Sequence, residues 1–178
     1  MNFREPKGII DYFRILRLYR KAFPISERKP FSAILKMKKA GKADIWYFED
    51  ERGFLGFSST INGEREILID YFAVSDKRRG QGHGTRMLTA LLNHYEPLGV
   101  FLEIEIPYES AENYTERVRR KNFYIAAGMT PMNTYAKLFG VDMELMGKRC
   151  ALDYDEYREF YLKNYGRFAY DHIEKVEL

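Results

Sequence analysis

The chain has 178 residues, enough for one domain with its own core and no need of staples. Lys and Arg number 29 against 26 Asp and Glu, a net charge of +3 too small to argue for nucleic acid by itself. A single cysteine, Cys150, excludes an internal disulfide framework and a Cys-rich zinc site, while 14 Tyr and 13 Phe make the chain unusually aromatic.

Residues 9–23 are apolar but carry Asp11, Arg14, Arg17 and Arg20 at three-residue spacing. That spacing predicts a helix with a charged side, which Pro24 ends. A shorter helix follows over 30–40, closed by Gly41. The pattern then turns to strands. Asp44–Glu49 contains Ile-Trp-Tyr-Phe, Asp50–Gly53 supplies a turn, Phe54–Ile61 is a second strand, and Asn62-Gly63 signals a hairpin into a third strand over Glu66–Val74. After Ser75–Thr85 comes a helix whose Met87, Leu88, Leu91, Leu92 and Tyr95 share a face. Pro97 and Gly99 break it, and Val100–Ile106 alternates as a strand with Glu103 and Glu105 on one face. A helix over 112–127 stops before Gly128, and strands follow at about 132–139 and 141–146. Asp153 with Glu156 has the form of a capping box, opening a helix to Asn164 that Gly166 closes. Residues 167–178 receive no assignment. The expected class is α/β, with a mostly antiparallel sheet flanked by helices and a strand–glycine loop–helix unit at its centre. It is expected as one domain over 1–178, with a core of about 9–147 and a helical appendage of about 150–178. No apolar run is long enough to suggest a membrane span, and the polar start at Met1–Gly8 does not read as a signal peptide, so a cytoplasmic protein is the expectation.

The loop Arg79-Gly80-Gln81-Gly82-His83-Gly84-Thr85 carries the chemistry. Alternate glycines before a helix let successive N–H groups converge on an anion, and Lys77, Arg78 and Arg79 add positive charge. A Walker A loop needs a Lys after the last glycine, and none is present; a Rossmann fingerprint fails from Gly80 at Thr85 and from Gly82 at Met87. What fits is the R/Q-x-x-G-x-G/A motif. The run Arg79–Gly84, with Asn122-Phe123-Tyr124-Ile125-Ala126-Ala127-Gly128-Met129 some 40 residues on, resembles the GNAT superfamily of acyl-CoA N-acyltransferases. Glu103–Pro107 and Arg120-x-x-Phe123-Tyr124 resemble a generic bacterial branch of it. The order of elements from about residue 9 to 147 is similar to that fold.

The resemblance implies acetyl-CoA as co-substrate and no metal. It places the pyrophosphate on the amides of Arg79, Gly80, Gln81, Gly82, His83, Gly84 and Thr85, and the pantetheine arm along Phe72, Ala73 and Val74. The Val74 amide would then donate to the thioester carbonyl, and Tyr124 would protonate the leaving thiolate. Arg117 stands where some members carry a cofactor-contacting Asn. The acceptor would lie against Tyr12, Tyr19, Phe31, Trp46, Tyr108, Tyr135 and Phe139, between the first two helices and the late strands. An amine must lose a proton before attack, and Glu103, Asp70 and Glu105 are the carboxylates open to that role, beside the alternative of no single side-chain base. The resulting expectation is direct transfer in a ternary complex to a primary amine, with a non-catalytic acyl-CoA sensor as the alternative. The expected partners are a small-molecule or peptide amine acceptor and, in a homodimer, a second copy of the chain, with neither nucleic acid nor membrane. The basic stretches at 36–42 and 117–121 are solvated helix faces on this view.

Overall fold

The structure, a computed structural model, describes residues 1–177, with Ser26 described by its backbone alone. The domain expected over 1–178 therefore has its last residue outside the described residues. The elements are β1 (Asn2–Arg4), α1 (Gly8–Ala22), α2 (Phe31–Lys39), β2 (Ala43–Asp50), β3 (Gly53–Asn62), β4 (Glu66–Val74), α3 (His83–His94), β5 (Gly99–Glu105), α4 (Tyr114–Ala126), β6 (Thr130–Leu138), β7 (Val141–Lys148), α5 (Tyr154–Tyr165), α6 (Arg167–Tyr170) and β8 (Ile173–Lys175). Short 3-10 turns stand at Ile25–Glu27 and Asp76–Arg78. The strands form one sheet in the order β1-β2-β3-β4-β5-β7-β6-β8. It is mostly antiparallel, with β4 and β5 parallel. The expected α/β class with a mostly antiparallel sheet holds.

The described residues form two compact units, Met1–Asn62 with Ile69–His94, and Gly63–Leu68 with Tyr95 onward. In the first unit α1 and α2 cover one face of the sheet. Ile15, Leu18, Tyr19 and Ile34 pack there on Ile45, Tyr47, Phe57, Tyr71 and Ala73. These strand residues are every second position, as the period of two requires. The opposite face takes α3, where His94 meets Trp46 edge-on at 4.6 Å and Phe3 of β1 meets Trp46 at 5.2 Å. Gly56 makes the approach of α3 possible, because a Cβ there would collide with the Ala73 carbonyl and the Met87 methyl. The N-terminus is pinned by Arg4, which pairs with Asp11 at 2.7 Å and Glu49 at 2.9 Å. Asp11 also accepts the Lys7 N–H in the first turn of α1.

In the second unit, Glu66–Leu68 pair in parallel with Gly99–Phe101, and β5 pairs antiparallel with β7, β7 with β6, and β6 with β8. The helix α5 covers the face carrying Phe101, with Phe160 at 5.0 Å. It opens with the predicted capping box, Asp153 accepting the Glu156 N–H and Glu156 the Asp153 N–H. On the other face α4 sends Lys121 to the buried Glu144 of β7 at 2.7 Å.

Three departures from expectation have local causes. The β3–β4 connection is three residues rather than the two of an Asn-Gly turn. Gly63 is required there for space, since a Cβ would strike the Glu66 carbonyl and Phe160. Strand β6 begins at Thr130 and carries an irregularity between Pro131 and Tyr135, with Asn133 at φ +56°. The chain ends, blank in the sequence reading, form β1, α6 and β8, each too short to show a period.

Candidate functional site

Strand β4 leads into the glycine loop. The loop is tied down at its entry: Ser75 N–H donates to the Leu55 carbonyl (2.8 Å), Arg78 pairs with Asp50 (3.1 Å), and Asp76 pairs with Lys21 and with Arg79 (3.1 Å). Gly80 and Gly82 take φ +75° and +73°, the left-handed region closed to most side chains. No atom would crowd a Cβ at either position, so the requirement is conformational. From Gly80 to Thr85, six consecutive backbone N–H groups donate to no protein acceptor among the described residues; the next one, Arg86, returns to the Gly82 carbonyl. Unclaimed donors at a helix start, with the helix dipole behind them, constitute an anion cradle.

His83 begins α3 and is buried, and its Nδ1 lies 2.8 Å from an Arg86 guanidinium nitrogen. A guanidinium only donates, so this nitrogen accepts and the ring is neutral. Burial and the Arg86 charge hold its pKa below the usual 6.5. The ring is a packed, bonded part of the loop. Of the β4 residues expected along the pantetheine arm, Ala73 is buried while Phe72 and Val74 are half-buried on the alternate face, which Asp70 shares.

Asp70 has a nearly buried side chain, 7% exposed, and meets Lys29 at 2.6 Å through Oδ1. Its Oδ2 is buried without a hydrogen-bond partner among the described residues. Lys29 belongs to a turn fixed from three sides. The Tyr71 hydroxyl donates to the Glu27 carbonyl (2.9 Å) and accepts from the Lys29 N–H (3.1 Å), and the Tyr19 hydroxyl donates to the Lys29 carbonyl (2.9 Å). Burial raises the pKa of Tyr19, with Asp70 reinforcing it and Arg28 opposing it. Both charges therefore act on this one phenol.

The second unit holds the remaining expected residues. Tyr124 stands in the last turn of α4, edge-on to Phe123, and its hydroxyl makes no hydrogen bond among the described residues. Burial pushes that hydroxyl up to about 12, with Arg120 pulling it down. Glu103 accepts two phenols on one oxygen, Tyr157 at 2.9 Å and Tyr161 at 2.6 Å. Burial, followed by the charge of Glu103, keeps Tyr157 firmly protonated. Glu105 is gripped by Arg117 (2.7 Å) and Arg120 (3.3 Å). Arg117 also donates to the Ile106 carbonyl (2.8 Å) and to Asn113 Oδ1 (2.7 Å), so its guanidinium is engaged in joining α4 to the end of β5.

The aromatic residues expected around an acceptor separate into groups. Tyr19 and Phe31 line a cavity of about 300 Å³ between α1 and residues 25–31. Trp46 packs on the α3 side with His94, Tyr108 hydrogen-bonds Asp142, and Phe139 stacks on His172. The sequence reading missed Lys29 as the partner of Asp70 and the Tyr157/Tyr161 pair as partners of Glu103. The i,i+4 spacing of the two tyrosines puts them on one helix face, a signal open to inspection. Its target on another element was not. Cys150 is half-buried, and burial pushes its thiol up to about 11, away from reactivity.

A family model described as the acetyltransferase (GNAT) family matches residues 12–119. No curated protein matches the chain. Among solved structures, a protein from Bacteroides thetaiotaomicron assigned to the GNAT acetyltransferases aligns with TM-score 0.78 at 21% identity, covering 94% of this chain and 99% of that one. Spermidine N-acetyltransferase from Vibrio cholerae, crystallised with CoA and spermine, aligns with TM-score 0.65 at 14% identity, covering 83% and 94%. Aminoglycoside 6'-N-acetyltransferase from Enterococcus faecium gives 0.61 at 14%, covering 83% and 96%. At these identities the structural likeness concerns the fold.

Proposed function

Because the chain belongs to the GNAT acetyltransferase family, we propose that it is an acetyl-CoA-dependent N-acetyltransferase acting on a primary amine by direct attack in a ternary complex. The observation that carries this reading is the run of six unclaimed N–H groups from Gly80 to Thr85 behind two left-handed glycines. A pyrophosphate satisfies such donors, and the residues present fit it. Bound acetyl-CoA supplies an activated acyl thioester. The chain's own groups do the rest. The loop amides from Arg79 onward hold the anion, the Val74 amide donates to the thioester carbonyl as charge develops there, and Tyr124 offers a proton to the leaving sulfur. With its pKa pushed up to about 12, Tyr124 stays a phenol at neutral pH and so remains a donor.

Proton removal from the amine falls best to Asp70, whose buried Oδ2 has no hydrogen-bond partner among the described residues. Glu103 already accepts two phenols and Glu105 two guanidinium groups, so both carboxylates are committed to structural hydrogen bonds. Positioning of the two reactants supplies much of the remaining rate.

A thermal shift titration tests the cofactor, with NADH and ATP as controls. Acetyl-CoA at about 100 times its Kd adds about 2.7 kcal/mol. For 178 residues that is a Tm rise of roughly 7 °C. No rise would leave the loop a structural turn. The second reading, an acyl-CoA sensor without catalysis, draws on the engagement of Glu103 and Glu105. Release of free CoA in the presence of amines separates the two, since a sensor shows the thermal shift and no release.

A further inference from the structure

The cavity between α1 and residues 25–31 has a chemical character of its own. Its walls are Tyr19 and Phe31, Ile25 is an exposed apolar lip, and its charged residues are Arg20, Arg28 and Lys29, with no carboxylate among the lining residues. Lys29 is matched by Asp70. Neither Arg20 nor Arg28 forms an ion pair among the described residues; the Arg28 guanidinium makes one long hydrogen bond there, to the Arg20 carbonyl at 3.4 Å. Along the chain, residues 14–42 contain ten Lys and Arg against one acid, Glu27; Lys21, Lys29 and Lys38 are answered by Asp76, Asp70 and Glu5 from other segments, which leaves Arg20 and Arg28 as the uncompensated cations of the cavity wall. Charges of one sign around a concave surface raise the local concentration of the opposite ion. The turn presenting Arg28 is also held rigid by the Tyr19 and Tyr71 hydroxyls, so little ordering is needed on binding.

Resting on the transferase reading, we propose that this cavity binds the oxyanion, a carboxylate or a phosphate, of an acceptor that also carries the reactive amine. Arg20 and Arg28 form charge-assisted hydrogen bonds to that oxyanion, and Tyr19 and Phe31 flank its apolar part. The acceptor class is therefore an anion-bearing amine. Polycations such as spermidine, the acceptor named for one structural neighbour, are disfavoured by a surface of their own sign.

The test follows the guanidinium Nε–H resonances of Arg20 and Arg28 while the protein is titrated with phenyl phosphate, with benzoate, and with uncharged benzyl alcohol. Saturable shifts of both arginines with the two anions and none with the alcohol are expected. Affinity for the anions should fall about tenfold or more in the Arg20→Gln/Arg28→Gln variant, a typical worth of a charge-assisted contact. A thermal melt checks that this variant folds. Absence of saturation, or equal affinity in the variant, overturns the subsite. In a second arm, acetyl-CoA-dependent CoA release is compared for phenylalanine and phenylalaninamide. A kcat/KM at least about tenfold higher for the acid supports the proposal. Acetylation of both amines without preference sinks the subsite alone, whereas anion binding without acetyl transfer to any amine sinks the transferase reading and leaves the subsite standing.

Discussion

Replacing Glu103 decides whether that carboxylate is a base or a structural anchor. Its Oε1 accepts the hydroxyls of Tyr157 and Tyr161, which are 0% and 2% exposed. Glu103→Leu removes the acceptor and orphans two buried donors, each costing about 1–3 kcal/mol. The two phenols lie at i,i+4 and are able to bond one another, so about 1.5 kcal/mol per donor applies, about 3 kcal/mol in all, and burial of the leucine returns about 1 kcal/mol. A net loss of about 2 kcal/mol is expected, or roughly 5 °C in Tm for a chain of 178 residues. Glu103→Gln keeps an acceptor oxygen in place and should lose about 1 kcal/mol, roughly 3 °C. Urea and thermal unfolding of both variants, with the urea m-value checked for constancy, measure these losses. A leucine variant as stable as the parent, or a glutamine variant as damaged as the leucine one, would refute the anchoring argument. Turnover supplies the second readout. An anchor predicts that Glu103→Gln keeps turnover within about threefold, whereas a loss of about a hundredfold or more would make Glu103 the base.

Tyr124→Phe should leave stability nearly unchanged, since its hydroxyl bonds nothing among the described residues, while kcat falls about ten- to a hundredfold at unaltered acetyl-CoA affinity; calorimetry and CoA release measure the two. Asp70→Asn keeps an acceptor for Lys29 but removes the base, so kcat for CoA release should fall about a hundredfold. An unchanged kcat would return the amine's proton to solvent. Gly82→Ala forces an alanine to φ +73°, costing about 1 kcal/mol and weakening acetyl-CoA binding about tenfold in calorimetry. His83 makes stability depend on pH. Its folded pKa lies below the usual 6.5, so the unfolded chain takes up the proton first. Its contribution is complete above pH 6.5 and is lost as the pH falls from there through the lowered folded value. His83→Leu should remove that portion of the pH dependence in melts collected across the range.

The parts of this molecule that the sequence pattern exposes are those governed by local rules. The period of α1, the alternation of β5, the capping box of α5 and the glycine loop each follow from neighbouring residues, and the structure carries all four. What escapes is set by partners distant in sequence. Asp70 on a mostly apolar strand looked out of place; the lysine that answers it is 41 residues away. Glu103 looked available until two tyrosines, 54 and 58 residues further on, arrived from a helix with no apparent tie to the site. Arg117 matched a cofactor position by spacing, while its three bonds go to Glu105, Ile106 and Asn113. Alignment to a motif fixes where a residue stands along the chain; it does not say which of its hydrogen-bonding atoms are still unclaimed.

The two strands that the pattern could not show, β1 and β8, occupy opposite margins of the sheet and are three residues long apiece, whereas the strands between them run from seven to ten. A margin presents open N–H and C=O groups that invite another chain to join, and short margins give such a recruit little to hold. Removing Asn2–Arg4 or Ile173–Lys175 would strip that protection from β2 or β6 and leave a longer template exposed. Truncations at either terminus, and tags that pull on them, are therefore expected to surface as loss of solubility before they surface as loss of activity.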